Sequence, residues 1–211
     1  MLSKENLINY FSDGEKKEEN FKIGTEHEKF LFNLETKKPI DFSEKGIKGI
    51  FNILKQNGWN EIKENHNIIG LKKNNLSITL EPGLQIELSG APCPNIHETC
   101  KEVNLYLKEL KQACSKFNIG VIGIGLIPNA KFDEINQLEK KRYTIMRNYM
   151  TSVGSLGLDM MHRTAATQVN FDFSSEEDFK KKTKVASCLV PIAVSLFSNS
   201  PILEGKLNGF V

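Results

Sequence analysis

Cysteine is scarce in this sequence, and it is scattered. The four cysteines, Cys93, Cys100, Cys114 and Cys188, form no CxxC pair and do not cluster with His27, His66, His97 or His162, so the spacing of a thiolate zinc site is missing. Long apolar runs are missing too. The longest, Cys188–Phe197, is broken by Pro191 and Ser195 and falls well short of the roughly 20 residues that a membrane-spanning helix needs. The N-terminal stretch MLSKENLINYFSDGEKKEEN carries charges where a signal peptide would need its apolar region, and these absences together predict a cytoplasmic protein with no membrane partner. Neither sign of charge dominates. Lysine and arginine number 28 against 26 aspartates and glutamates, a net charge of +2. The lysine runs Lys16-Lys17, Lys72-Lys73 and Lys180-Lys181-Lys182 are spread along the chain, which argues against a nucleic-acid footprint. No repeat and no Gly/Ser-rich or Pro-rich linker marks a domain boundary.

What is present begins with Leu76–Pro92, LSITLEPGLQIELSGAP. Leu76, Ile78, Leu80, Leu84, Ile86 and Leu88 alternate with Ser77, Thr79, Glu81, Gln85, Glu87 and Ser89, the period of a strand with one face in the core. Pro82-Gly83 makes it either one bulged strand or two strands meeting. Glu81 and Glu87 then share a face. Phe21–Leu34 reads as a second strand whose Glu26 and Glu28 also share a face, about 6.6–7 Å apart at Cα by strand rise. Glutamate is a poor strand former and like charges on one face repel, so four of them favour a cation site, with plain solvation as the competing account. Oxygen donors without thiolate or clustered histidine suit Mg²⁺ or Mn²⁺ better than zinc.

Around these strands the pattern is mixed. Leu2–Phe11 reads as a short amphipathic helix. Lys37-Lys38-Pro39 reads as a turn, and Asp41 or Ser43 as the cap of a helix through Ile47, Ile50, Phe51 and Leu54 that Gly58 stops. Strands are expected around Glu61–Lys63 and Ile68–Lys72, with Glu64 in an exposed loop and Asn74-Asn75 as a hairpin turn. Asn95 with Glu98 opens a long helix. Its apolar positions Ile96, Cys100, Val103, Leu107, Leu110, Cys114 and Phe117 define a buried seam. Val121–Pro128 reads as a buried strand whose Gly123 and Gly125 lack the full dinucleotide pattern. Lys140–Met150 is a basic helix, broken by Gly154 and Gly157. Arg163–Phe173 is an amphipathic strand with Gln168, Asn170 and Asp172 on its polar face. A final helix is capped at Ser174-Ser175. This is an α+β pattern built on an antiparallel sheet.

The blocks IGTEHEKF (Ile23–Phe30), NIIGLKK (Asn67–Lys73), LEPGLQIELSGAP (Leu80–Pro92), YTIMRNYM (Tyr143–Met150), VGSLGLDMM (Val153–Met161) and RTAATQVNFDFSSE (Arg163–Glu176) resemble the glutamate–cysteine ligases of plants and many bacteria. The resemblance implies ATP- and Mg²⁺-dependent joining of the γ-carboxylate of L-glutamate to the amine of L-cysteine through γ-glutamyl phosphate, the first step of glutathione synthesis. It implies a curved antiparallel sheet like that of glutamine synthetase, with flanking helices. Glu26, Glu28, Glu81 and Glu87 would hold the metal. Met161, Gln168 and Asn170 would contact substrate, and Arg147 and Arg163 would supply cations to a carboxylate or phosphate. Leu84 departs from the glycine that many relatives carry. Family members are about twice this length, and the apolar Phe210-Val211 directly after a turn reads as a cut inside a domain. Residues 1–211 are thus expected to be the N-terminal portion of one catalytic domain, whose partner is the missing C-terminal half. A non-catalytic Mg²⁺- or glutamate-binding fragment and a carboxylate–amine ligase with another acceptor remain as alternatives.

Overall fold

The computed structural model describes residues 2–209, and Phe210 and Val211, the end read above as a cut, lie outside them. In chain order its elements are α1 (Lys4–Ser12), β1 (Ile23–Asn33), α2 (Ile47–Gln56), β2 (Asn60–Glu64), β3 (Asn67–Lys73), β4 (Leu76–Leu80), β5 (Ile86–Ser89), α3 (Ile96–Ser115), β6 (Ile119–Ile122), α4 (Lys141–Val153), α5 (Gly157–Arg163), β7 (Thr167–Phe171), α6 (Glu176–Phe197) and a small hairpin of β8 (Ile202–Leu203) with β9 (Lys206–Leu207). The main sheet runs β2-β3-β4-β5-β1-β6, and β7 also pairs with β1. Every pairing is antiparallel. The protein is α+β, with six α-helices among the described residues.

Leu76–Ser89 resolves into two strands rather than one. Pro82 has no donor to continue a ladder, and the chain turns instead, with Glu81 N–H donating to the Gln85 carbonyl and Leu84 N–H to the Glu81 carbonyl, both at 2.9 Å. Leu84 closes this turn at φ +64°, a left-handed conformation that glycine adopts without steric cost. A Cβ on Gly83 would lie 2.2 Å from the His162 carbonyl oxygen, so this turn packs directly against α5. The hairpin brings Ile78 opposite Leu88 and Leu80 opposite Ile86. All four are fully buried against Ile47, Ile50, Phe51 and Leu54 of α2 and Tyr106 and Leu110 of α3. Removing each such side chain from water contributes about 1.5–3 kcal/mol, so this two-layer packing fixes which face of the sheet looks inward.

Several expectations need correcting. Gly46, not Asp41 or Ser43, is the cap of α2; the Asp41 and Ser43 carbonyls accept the N–H groups of Ile47 and Lys48, so backbone does the work assigned to their side chains. The α3 seam runs through Thr99, Tyr106, Leu110, Ala113 and Cys114, and Ile96 and Cys100, both expected in it, are exposed. The first turns of α3 point Thr99 inward, while the Glu102 carboxylate accepts the Ala91 N–H, which rotates Cys100 outward. Cys114 is buried as expected, and burial pushes its thiol up to about 12. The β6 strand begins at Ile119 and stops at Ile122, because the chain then leaves the ladder: Gly125 N–H donates to the Asn199 carbonyl. Arg163 belongs to α5, and β7 starts only at Thr167. Glu64 lies in β2, not in a loop, and its carboxylate accepts the N–H of Lys141 at the start of α4 at 2.9 Å.

Candidate functional site

The register of β1 sets the chemistry of one sheet face. Directly opposed residues of an antiparallel pair project to the same side with Cβ atoms about 4.5–5.5 Å apart. Glu28 stands opposite Glu87 and Glu26 opposite Ser89 across the β1–β5 ladder. Thr79 stands opposite Glu87 on the β4–β5 side. Across the β1–β7 ladder Glu26 faces Gln168, with Asn170 opposite Gly24. Glu26, Glu28 and Glu87 therefore share the face turned away from α2 and α3, together with Thr79, Ser89, Gln168 and Asn170. Glu81 stands one residue beyond β4, at the lip of that face.

All four carboxylates are held in the same way. Glu87 Oε1 accepts the hydroxyls of Thr79 at 3.0 Å and Ser89 at 2.6 Å. Glu26 Oε1 accepts the amides of Gln168 at 3.0 Å and Asn170 at 2.9 Å. Glu28 Oε2 accepts the Ala166 N–H at 2.9 Å. Glu81 Oε1 meets the Tyr143 hydroxyl at 3.3 Å, and that hydroxyl also reaches the Leu80 carbonyl at 3.0 Å. In each case one oxygen takes every protein donor and the other takes none.

None of the four joins an ion pair among the described residues, whereas Glu61, Glu98, Glu109, Glu134, Glu176 and Glu204 all do. Burial, followed by the like charges of Glu81, Glu87 and Glu26, pushes the Glu28 carboxyl up to about 7, against the pull of the Ala166 N–H. Burial and the Glu87 charge raise Glu81, while Tyr143, Arg142 and Lys140 pull it back. Four carboxylates thus feel one another without a compensating cation at contact. No three His, Cys, Asp or Glu side chains among the described residues converge closely enough to hold one ion as they stand. The donor set itself, oxygen only and with a free oxygen on each residue, is of the kind that hard divalent cations take.

The remaining expected site residues fall elsewhere. Arg147 donates to the Thr144 hydroxyl at 3.3 Å, and its Nη1 is buried without a partner. Arg163 is buried, with Glu204 at 2.6 Å and Asp159 at 3.3 Å. Met161 is buried, and its carbonyl accepts the Gln85 side-chain amide at 3.3 Å. No hydrogen bond or ion pair joins these three to the four glutamates. Gln85 tethers the 81–85 turn to the end of α5, donating also to the Thr164 carbonyl at 2.7 Å. Sequence reasoning placed Thr79 and Ser89 on the polar face without giving them a role. It gave Tyr143 no role of its own, for a tyrosine on a helix carries no periodic sign that its hydroxyl reaches a strand.

These observations define an α+β protein whose antiparallel sheet buries one face and carries an acidic, oxygen-rich site on the other. The model of glutamate-cysteine ligase family 2 matches residues 22–211. The chain is 49% identical over its whole length to glutamate–cysteine ligase A, chloroplastic, of Oryza sativa subsp. japonica, covering 42% of that protein. It is 48% identical to the chloroplastic glutamate–cysteine ligase of Brassica juncea, covering 41% of it, and 47% identical to that of Arabidopsis thaliana, covering 40%. The chain belongs to glutamate-cysteine ligase family 2, and it spans less than half the length of these relatives. No helix among the described residues is long and apolar enough to cross a membrane.

Proposed function

We propose that this chain supplies the carboxylate-bearing part of a ligase that joins L-glutamate to L-cysteine at the expense of ATP. In this reading residues 1–211 are the N-terminal portion of one catalytic domain on a curved, glutamine-synthetase-like sheet, completed by the length that its relatives carry beyond it. The observation that carries the proposal is the shared arrangement of Glu26, Glu28, Glu81 and Glu87, each with one oxygen fixed by a protein donor and one left for a cation. These four glutamates would hold Mg²⁺ or Mn²⁺, which would supply positive charge to offset that of the phosphates during phosphoryl transfer to a carboxylate.

The chain's own residues prepare this site. Thr79 and Ser89 fix the Glu87 carboxylate, Gln168 and Asn170 fix Glu26, and Tyr143 fixes Glu81, the outer support that ligating carboxylates require. Glu28 must shed its proton before it can ligate. Gln168 and Asn170 also line the face where glutamate would lie; Met161, Arg147 and Arg163 stand apart from the four glutamates, and the two arginines are guanidinium groups suited to a carboxylate or phosphate. The γ-carboxylate takes the phosphoryl group and ADP leaves; the amine of cysteine then attacks the γ-carbonyl, and phosphate leaves with the C–O bond that breaks.

Two measurements test this. Calorimetry on the chain alone should detect divalent-cation binding that Glu87→Gln weakens. Phosphate release from ATP, measured on the chain together with the remaining length of a relative, should require both L-glutamate and L-cysteine. Turnover indifferent to glutamate would overturn the proposal, and a different required amine would point to another acceptor.

A further inference from the structure

The chain's most conspicuous unpartnered surface is α6. Residues 185–197, VASCLVPIAVSLF, contain no charged side chain, yet no residue of α6 is buried. Two apolar stripes run along this half of the helix, roughly a third of a turn apart at 100° per residue. Val185, Leu189, Ile192 and Leu196 form one. Val190, Ala193, Val194 and Phe197 form the other, of which the last three line a trough of about 940 Å³ that also reaches Glu28 and Ala166. The trough lies where β6 and β7 part along the same edge of β1, and Glu28, Lys29, Gly125, Val169 and Ser200 share its lining, so that it opens at one end onto the acidic site. Val169 is 45% exposed and Phe171 70%, although alternation in β7 assigns both to the inward face, and Phe197 is 80% exposed.

A helix that is apolar over so wide an arc belongs inside a protein rather than on its surface, and contiguous apolar patches of this kind mark contact sites. A two-fold contact with a second copy buries one self-complementary patch on each subunit; it would cover the outer stripe and leave the trough open. An occupant that enters the trough and continues around α6 has to be an additional length of polypeptide. The relatives possess one, since this chain covers only 40–42% of them.

We infer that the trough between α6 and β7, together with the outer stripe of α6, is the docking surface for the polypeptide that corresponds to the rest of the relatives' length. This rests on the ligase reading for the identity of the occupant, but its test reads assembly and not activity. The chain is co-expressed with the portion of the Oryza sativa relative that follows the matched segment. The two should co-purify one to one, and amide exchange over residues 185–197 should slow at least tenfold on assembly. Leu189→Asp and Phe197→Asp should each abolish co-purification, while Leu105→Asp, at an equally exposed position on α3, should leave it intact. Failure to co-purify would overturn the inference, as would a complex in which residues 185–197 exchange as before. Concentration-dependent dimerisation of the chain alone that protects α6 would assign the surface to a second copy instead. A complex with no ligase activity would leave this surface standing and count only against the catalytic proposal.

Discussion

Glu28 and Glu61 are both strand glutamates of one sheet, and they are treated in opposite ways. Glu61 in β2 lies between Lys55 and Lys63, each at 2.7 Å, and the hydrogen bonds from those lysines hold its carboxyl below the usual range. Glu28 in β1 has three glutamates for electrostatic neighbours and a backbone N–H as its donor, and it is pushed up to about 7. The protein does not lack lysine. It pairs lysine directly with the carboxylates at the sheet margin and leaves those at the centre without an ion-pair partner among the described residues, with Lys29 turned to the Glu28 carbonyl and Lys140 and Arg142 acting on Glu81 without forming an ion pair. A fold selected only for its own stability would gain nothing from leaving them unpaired, because a half-buried carboxylate among like charges costs free energy until a cation arrives. The contrast separates carboxylates that complete the fold from those that the proposed function assigns to a cation.

The sharpest way to break this contrast is Glu87→Gln. It keeps the shape and an oxygen for the Thr79 and Ser89 hydroxyls but removes the charge. In the assembled enzyme, ligation should fall at least about 10²-fold, the scale of losing one electrostatic contributor to a transition state. Added Mg²⁺ should recover part of the loss, and thermal stability should change little. Glu61→Gln in the same assay should be indistinguishable from the parent. Equal activity of the two variants would reduce Glu87 to an ordinary strand residue.

Tyr143 tests whether the fixed oxygen matters. Tyr143→Phe deletes the donor to Glu81 and to the Leu80 carbonyl, so Mn²⁺ affinity measured by calorimetry should drop about tenfold, the lower end for a lost outer-shell partner. The buried Leu80 carbonyl would lose its side-chain donor as well, at about 1 kcal/mol in chemical denaturation. An unchanged affinity with the stability loss intact would make Tyr143 purely structural.

Acidity sharpens the comparison further. Glu28 has a folded-state value raised above its value in the unfolded chain, so its contribution to stability is fully present below about 4.5 and is lost as pH rises through about 7. Cation binding removes the same proton. Apparent Mn²⁺ affinity should therefore rise about tenfold from pH 6 to pH 8, with proton release that depends on buffer ionisation heat. Glu28→Gln should flatten both profiles, and the metal-free variant should unfold at higher temperature than the parent at pH 8 but not at pH 5. A pH profile unaffected by the substitution would assign the titration elsewhere.

How much of this could be read in advance follows from which interactions are local. Alternation along Leu76–Ser89 and Phe21–Leu34 exposed the sheet and its acidic face, because side-chain direction in a strand depends only on residue parity. The α3 seam was misjudged at Cys100 because helical spacing gives a stripe but not the rotation at which a sheet receives it. Gly46 displaced Asp41 and Ser43 as the cap because backbone carbonyls were available, which side-chain pattern does not register. The donors to the carboxylates came from residues as distant in sequence as Tyr143, Ala166 and Asn170, and only tertiary structure joins them. The family resemblance assigned Arg147 and Arg163; here Arg163 is paired with Glu204 and Asp159, the Arg147 guanidinium meets only the Thr144 hydroxyl among the described residues, and neither is bonded to the four glutamates.

The smallest expected effects concern carboxylates outside the site, and they decide which substitutions can serve as controls. Glu64 looks dispensable in sequence, yet its carboxylate accepts the first helical N–H of α4, where Lys140 provides no side-chain cap. Glu64→Ala should therefore cost about 0.5–1 kcal/mol in chemical denaturation, as loss of a helix cap does, while leaving Mn²⁺ affinity unchanged. Glu176 is the better control. It is highly exposed and pairs only with Lys180 four residues on, an arrangement that contributes little in water. Glu176→Gln should leave thermal midpoint, Mn²⁺ affinity and ligation at parental values. If it instead lowered Mn²⁺ affinity as Glu87→Gln does, cation binding would follow net charge rather than position, and the distinction between paired and unpaired glutamates would lose its functional meaning.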